Sequence, residues 1–164
     1  MPEKAVSKMT VSPGPEITLN GLTEEGSSAP FILLAEDNPA DVFLLERALN
    51  KHLLDFELRV FTDGEKAVRF IDAVDDDESA ALPALILADL NLPKKGGLEL
   101  LQFVRKSKRS WRVPFLVLTS SDSPVDRTET AKFGATGYVC KPSSLAEFME
   151  IGRVIKETLA GKPA

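Results

Sequence analysis

Four short apolar runs in this chain each end on a chemically active side chain, and that repetition restricts the fold more than any other feature. Phe31-Ile32-Leu33-Leu34-Ala35 delivers Glu36-Asp37, and Ala84-Leu85-Ile86-Leu87-Ala88 delivers Asp89. Phe115-Leu116-Val117-Leu118 leads into Thr119, and Gly137-Tyr138-Val139-Cys140 into Lys141-Pro142. Runs this apolar read as strands buried on both faces, which a parallel sheet requires. In an open parallel sheet, ligands bind beyond the carboxyl ends of the strands. Three acids, a hydroxyl and a lysine are therefore expected to meet at one edge.

The rest of the pattern agrees with such a sheet. Strands are expected near 31–35, 57–61, 84–89, 114–119 and 137–140, and helices near 39–51, 65–74, 97–108, 125–133 and 144–160. Strand–helix alternation implies an α/β domain with helices on both faces of the sheet. Pro39 suits the first turn of a helix, where its missing N–H costs nothing. Val42, Leu45 and Leu49 give that helix a buried stripe. Residues 1–29 differ: Pro2, Pro13, Pro15, Gly14, Gly21 and Gly26 interrupt every apolar cluster. They read as a flexible N-terminal arm, with Ile17-Thr18-Leu19 a short docking candidate. The folded domain is expected over 30–160, followed by a tail at 161–164. The acidic run Asp75-Asp76-Asp77-Glu78-Ser79 reads as a solvated loop.

Composition narrows the function. The 164 residues are 43% hydrophobic, enough for one ordinary core. A net charge of −5 argues against a general nucleic-acid binder. One cysteine and one histidine exclude an intramolecular disulfide and a Cys/His metal cluster. Cys140 reads as a small core residue, and His52 as a cation near a helix end. With neither a signal-peptide run nor a membrane-length apolar stretch, the expected location is the cytoplasm and no membrane partner is implied.

Glu36, Asp37 and Asp89 brought close together repel one another, by about 4 kcal/mol per pair at 4 Å and an effective dielectric of 20. A hard divalent cation relieves that repulsion, and Mg²⁺ takes carboxylates, water and phosphoryl oxygens. A carboxylate nucleophile, a metal, a lysine and a hydroxyl together suit phosphoryl transfer to an aspartate.

At these residues the chain resembles a response-regulator receiver domain of two-component systems, from about Phe31 to Leu159. The markers are Leu33-Leu34-Ala35-Glu36-Asp37-Asn38, Leu87-Ala88-Asp89-Leu90-Asn91-Leu92-Pro93, Leu118-Thr119-Ser120 and Gly137-Tyr138-Val139-Cys140-Lys141-Pro142. Glu-Asp-Asn-Pro-Ala-Asp, Leu-Asn-Leu-Pro-Lys-Lys and Leu-Thr-Ser-Ser-Asp look especially like single-domain regulators associated with bacterial phytochromes. The resemblance implies a flavodoxin-like, doubly wound sheet of five parallel strands in the order 2-1-3-4-5, with five helices in three layers.

It also implies roles. Asp89 would accept a phosphoryl group from a partner histidine kinase, possible bacteriophytochromes included, with Mg²⁺ as cofactor. Asp37, Asp89 and the Asn91 backbone carbonyl would ligate the metal, and Glu36 would act through a metal-bound water. Thr119 and Lys141 would contact phosphoryl oxygens, Ser120 would leave them room, and Tyr138 would report the state by its rotamer. The Lys141-Pro142 bond is expected to be cis. Gly96 departs from the family pattern, in which an acid is common before the glycine that opens the helix. The protein would catalyse only its own phosphotransfer and autodephosphorylation. With no output domain expected after residue 164, the signal would pass to an effector or phosphotransfer protein, or to a second copy through the fourth-helix, fifth-strand, fifth-helix face.

Other readings are weaker. A phosphorylation-independent pseudo-receiver scaffold conflicts with the full set of site residues. An aspartate-nucleophile phosphatase usually carries a second acid two residues after the nucleophile, where this chain has Asn91. A nucleotide- or flavin-binding domain needs a Gly-rich turn after the first strand, and Glu36-Asp37-Asn38-Pro39 has none. Phe133, Phe148 and Ile151 are candidates for the dimer face or for the core. The cluster Arg105, Lys106, Lys108, Arg109 and Arg112 is a kinase-docking candidate or a solvated helix end.

Overall fold

Because successive strand residues point to opposite faces, a strand apolar throughout has to be covered on both sides. The computed structural model, which describes residues 11–13, 30–52 and 55–162, meets that requirement. Its strands are β1 (Val11–Pro13), β2 (Phe31–Ala35), β3 (Glu57–Phe61), β4 (Leu85–Ala88), β5 (Phe115–Thr119) and β6 (Gly137–Cys140). Its helices are α1 (Pro39–Lys51), α2 (Gly64–Asp76), α3 (Gly97–Lys106), α4 (Pro124–Lys132), α5 (Leu145–Met149) and α6 (Ile151–Leu159), with a 3₁₀ turn at Ser110–Arg112. All pairings are parallel and the order is β1-β3-β2-β4-β5-β6. The five expected strands thus lie in the 2-1-3-4-5 order.

Phe31, Leu33 and Ala35 of β2 pack with Phe70 and Ile71 of α2 and Leu100 and Leu101 of α3. Ile32 and Leu34, on the opposite face, pack with Leu45 and Leu49 of α1, Phe148 of α5 and Ile155 of α6. Each such side chain stabilises the fold by about 1.5–3 kcal/mol on burial. Local chemistry sets the helix starts. Asn38 caps α1 by accepting from Ala40 N–H at 3.0 Å, with Pro39 behind it. Asp63 caps α2 by accepting from Lys66 N–H at 2.8 Å.

Three features differ from the sequence reading. Val11–Pro13, inside the arm expected to be flexible, forms a strand whose register pairs Val11 with Leu58. The open edge of β3 supplies its partners, so only tertiary structure calls for it. Ile17-Thr18-Leu19 lies outside the described residues. Secondly, the last helix is interrupted at Glu150. His52 Nε2, in the tautomer that donates, lies 3.2 Å from the Met149 carbonyl. Arg153 N–H accordingly donates to Glu150 O at 3.0 Å rather than to Met149 one turn back. A side chain inserted into the helical ladder is a recognised cause of a kink. Thirdly, the acidic run is not simply a solvated loop. Helix α2 continues through Asp76, and Asp75 accepts from Ser110 Oγ at 2.7 Å and from Lys108 N–H at 2.6 Å. These bonds outweigh burial and lower the Asp75 pKa.

Candidate functional site

Glu36, Asp89, Thr119 and Lys141 sit at or one step beyond a strand end, and Asp37 two steps beyond; ladder bonds still fix the backbone of Glu36, Asp89 and Lys141. Glu36 N–H donates to Phe61 O at 3.0 Å, Asp89 N–H to Ala35 O at 3.0 Å, and Lys141 N–H to Thr119 O at 2.7 Å. Side-chain positions at this edge therefore inherit the rigidity of the sheet.

The centre is the Lys141 ammonium. Its Nζ donates to Glu36 Oε2 at 2.6 Å, Asp41 Oδ2 at 2.8 Å and Asp89 Oδ2 at 2.8 Å. The Lys141 side chain is only 7% exposed. Asp89 Oδ1 accepts from Asn91 N–H at 3.0 Å, and the buried Thr119 hydroxyl, at the end of β5, accepts from Ser121 N–H at 3.3 Å. Glu36 Oε1 accepts from Asn38 N–H at 3.0 Å. Asp37 and Ser120 face solvent beside the cluster.

Burial and bonding act against each other on these groups. Burial alone would lower the Lys141 pKa, but bonds to Asp41, Asp89 and Glu36 outweigh it and hold the ammonium protonated beyond its ordinary range. Burial alone would raise Asp89, but the Lys141 and Asn91 bonds prevail and hold its carboxyl below the usual value. Asp89 is thus a carboxylate at neutral pH. At Glu36 burial wins, and the pKa is raised despite Lys141 and Asn38. Glu36 therefore favours folding most below its ordinary pKa of 4.5, and that advantage fades as pH rises through the folded-state value. We expect Glu36→Gln to gain stability relative to wild type as pH is raised from that ordinary value toward neutrality. Urea unfolding at several pH values checks this, and a constant difference between the two proteins would refute it.

Among the described residues, no three or more His, Cys, Asp or Glu side chains converge on one metal position. The expected ligand set is smaller, two carboxylates and a backbone carbonyl. Glu36, Asp41 and Asp89 surround a single ammonium with the exposed Asp37 beside them, which leaves an excess of negative oxygen donors. That donor chemistry fits a hard divalent ion such as Mg²⁺.

Asp41 was given no role in the sequence, where it is only the last residue of the Glu-Asp-Asn-Pro-Ala-Asp run. Its signals were its place in that run and its position in the first turn of the helix that follows Glu36-Asp37. The Lys141-Pro142 bond is not cis, for the described residues contain no cis peptide bond. Trans is the lower-energy isomer at an X–Pro bond by about 0.5–1 kcal/mol, and Lys141 reaches its three carboxylates with it. Tyr138 is half-buried, its hydroxyl donates to Ser121 O at 2.8 Å, and Arg127 stacks 4.4 Å above its ring. Gly96 lacks a capping side chain, but Glu99 Oε2 accepts from its N–H at 2.9 Å and holds the start of α3. At Gly97 a Cβ would lie 2.2 Å from the Asp89 carbonyl oxygen, so only glycine lets α3 approach the acid this closely.

Of the other candidates, Phe148 and Ile151 are core residues at 4% exposure each, whereas Phe133 is exposed. Two members of the basic cluster act as internal staples. Arg105 donates to the carbonyls of Gly134, Trp111 and Val113, and Arg109 to those of Val74, Asp77 and Ala80. No helix among the described residues is long and apolar enough to cross a membrane.

Comparison with known proteins places this site in context. Residues 32–153 match the family model of the response regulator receiver domain. Response regulator Rcp1 of Synechocystis sp. is 32% identical over 79% of this chain and 88% of its own length. The crystal structure of the Mn²⁺-bound form of Rcp1 superposes with a TM-score of 0.70 at 33% identity, covering 78% of this chain and 92% of that one. The phosphorylated cyanobacterial phytochrome response regulator RcpA gives 0.72 at 31% identity, over 80% and 94%. The receiver domain of the sensor histidine kinase PA1611 of Pseudomonas aeruginosa PAO1, with magnesium in its active-site cleft, gives 0.64 at 26%, over 80% and 98%.

Proposed function

The chain belongs to the response regulator receiver family, and from that premise we propose that it is a phosphorylation-controlled signalling switch whose acceptor is Asp89. One observation carries the reading: Asp89, ionised and 8% exposed, is held by the Lys141 ammonium at 2.8 Å and by Asn91 N–H at 3.0 Å at the carboxyl edge of the sheet. A carboxylate so oriented can attack phosphorus while the Lys141 ammonium and the Thr119 hydroxyl, at the neighbouring strand end, are available to the oxygens that carry the developing charge. The new bond joins an Asp89 oxygen to phosphorus as the phosphohistidine N–P bond breaks, and the leaving imidazole nitrogen takes a proton from solvent. Mg²⁺, held by Asp37, Asp89 and the Asn91 carbonyl, would supply charge neutralisation for the transferring group.

Lys141 and Thr119 retain the product, which carries about −1.5 to −2 charges at neutral pH. Thr119 shifting toward it opens space for Tyr138, whose hydroxyl then leaves Ser121 O. The face built by α4, β6 and α5 changes in consequence. Val125 at 64% and Leu145 at 62% exposure supply that face with apolar contacts for an effector protein, a phosphotransfer protein or a second copy. Moving such an equilibrium from 1:99 to 99:1 takes about 5.5 kcal/mol, so a few charge-assisted bonds give a partial shift.

The likeness to Rcp1 and RcpA supports a histidine kinase of the phytochrome type as donor and a cytoplasmic setting. In this reading its chemistry is that of gaining and losing its own phosphoryl group. The test is labelling with acetyl phosphate and Mg²⁺, read on a phosphate-affinity gel. Wild type is expected to shift and Asp89→Ala is not; equal shifts would sink the assignment.

A further inference from the structure

We propose that Asp41 is a positioning residue for Lys141, the one contact of that ammonium which phosphorylation leaves in place. The inference rests on the reading of Asp89 as acceptor. A lysine ammonium has three N–H donors, and here each is used: Glu36 at 2.6 Å, Asp41 at 2.8 Å and Asp89 at 2.8 Å. Two of these partners change during the reaction. Asp89 becomes the phosphorylated group, and Glu36 belongs with the metal. Asp41 is neither acceptor nor assigned ligand.

Its own placement is rigid. Asp41 is the third residue of α1, directly behind Pro39 and the Asn38 cap. A carboxylate in the first turn of a helix also sits favourably against the helix dipole. Asp41 and the two strand ends thus approach the ammonium from different elements, α1 on one side and the β2 and β4 edge on the other. Once Asp89 Oδ2 is replaced as a partner by a phosphoryl oxygen, the bond to Asp41 keeps Nζ aimed at it. Without that bond the four-carbon lysine stem regains its rotamers. The ammonium then spends less time where the phosphoryl oxygen forms.

The experiment compares Asp41→Ala with Asp41→Asn, whose amide oxygen still accepts from Nζ but carries no charge. Two readouts are taken: the initial rate of labelling by acetyl phosphate at saturating Mg²⁺, and the protection of the Lys141 ammonium protons by NMR without metal or phosphodonor. Asp41→Ala is expected to slow labelling by about tenfold to a hundredfold and to lose the protected ammonium signal. Asp41→Asn is expected to restore most of both. A wild-type rate in Asp41→Ala overturns the proposal. So does an Asp41→Asn as slow as Asp41→Ala, which would assign Asp41 a role of charge alone. If Asp41→Ala does not fold, Asp41→Ser takes its place, since serine suits a helix start and its hydroxyl is too short to reach Nζ. Failure of wild type to label would remove the acceptor role of Asp89 instead, and the ammonium signal would still decide whether Asp41 holds Lys141.

Discussion

Lys141→Ala is expected to lower stability by about 3–5 kcal/mol near neutral pH and to reduce labelling by acetyl phosphate to a trace. The magnitude follows from removing one partner of a buried ionic cluster, which strands the others without compensation. Glu36, at 1% exposure, and Asp89, at 8%, would both remain in the sheet edge without the one ammonium that contacts them among the described residues. The pH dependence distinguishes this cause from lost packing. In the variant, burial acts on Glu36 and Asp89 unopposed by the lysine, so both folded-state pKa values rise. Their destabilising effect is then largest at high pH and relaxes as pH falls and they take up protons. In wild type the lowered Asp89 pKa stabilises the fold above the ordinary aspartate value of 3.8, and that contribution is lost only as pH falls through the lower folded value. The gap between the proteins should narrow on acidification. Urea unfolding across that range is the measurement; a gap independent of pH would mean that charge is not the cause.

Gly97→Val is expected to cost about 3 kcal/mol, the upper end of ordinary overpacking. The obstacle is main chain rather than a movable side-chain tip. A Cβ at residue 97 would meet the Asp89 carbonyl oxygen at 2.2 Å and the Asp89 carbonyl carbon at 2.9 Å. Helix α3 must therefore back away, or the backbone carrying the acceptor must shift. Because Gly97 N–H also donates to Leu90 O at 3.1 Å, the loop after Asp89 moves with the helix. Labelling should fall together with stability. A variant that melts lower but labels at the wild-type rate would show that α3 retreats while the site holds. Gly97→Ala offers the milder member of the series.

The sheet was legible because its strands announce themselves locally. Phe31–Ala35, Glu57–Phe61 and Gly137–Cys140 have the expected bounds, each an apolar-rich run stopped by a charged, polar or turn-forming residue. Helix α1 was legible for a similar reason, with Pro39 at its start and Leu45 and Leu49 on its buried stripe. What was missed depends on residues distant in the chain. Val11–Pro13 has little strand character of its own and exists through the free edge of β3. The break at Glu150 requires His52 against Met149 O. Asp41 differs from any first-turn helix acid only because Lys141 arrives beside it. The candidate site was therefore readable as a list of strand-end residues, while the contact that completes it was not. The expected cis bond before Pro142 came from resemblance alone, and the chain reaches the same lysine placement in trans.

The bonds of Lys141 also join the two ends of the folded domain. They link residues 105, 100 and 52 positions apart along the chain, across both halves of the sheet. Contacts of such separation come at a high loop-closure entropy and form late, after the strands between them have paired. A partly folded chain, with β2 and β4 in register but β6 undocked, would present Asp89 to solvent without its lysine. Competence to receive a phosphoryl group should thus appear in refolding with the last docking step rather than with secondary structure. The site is thus complete only when β6 has docked against the rest of the sheet.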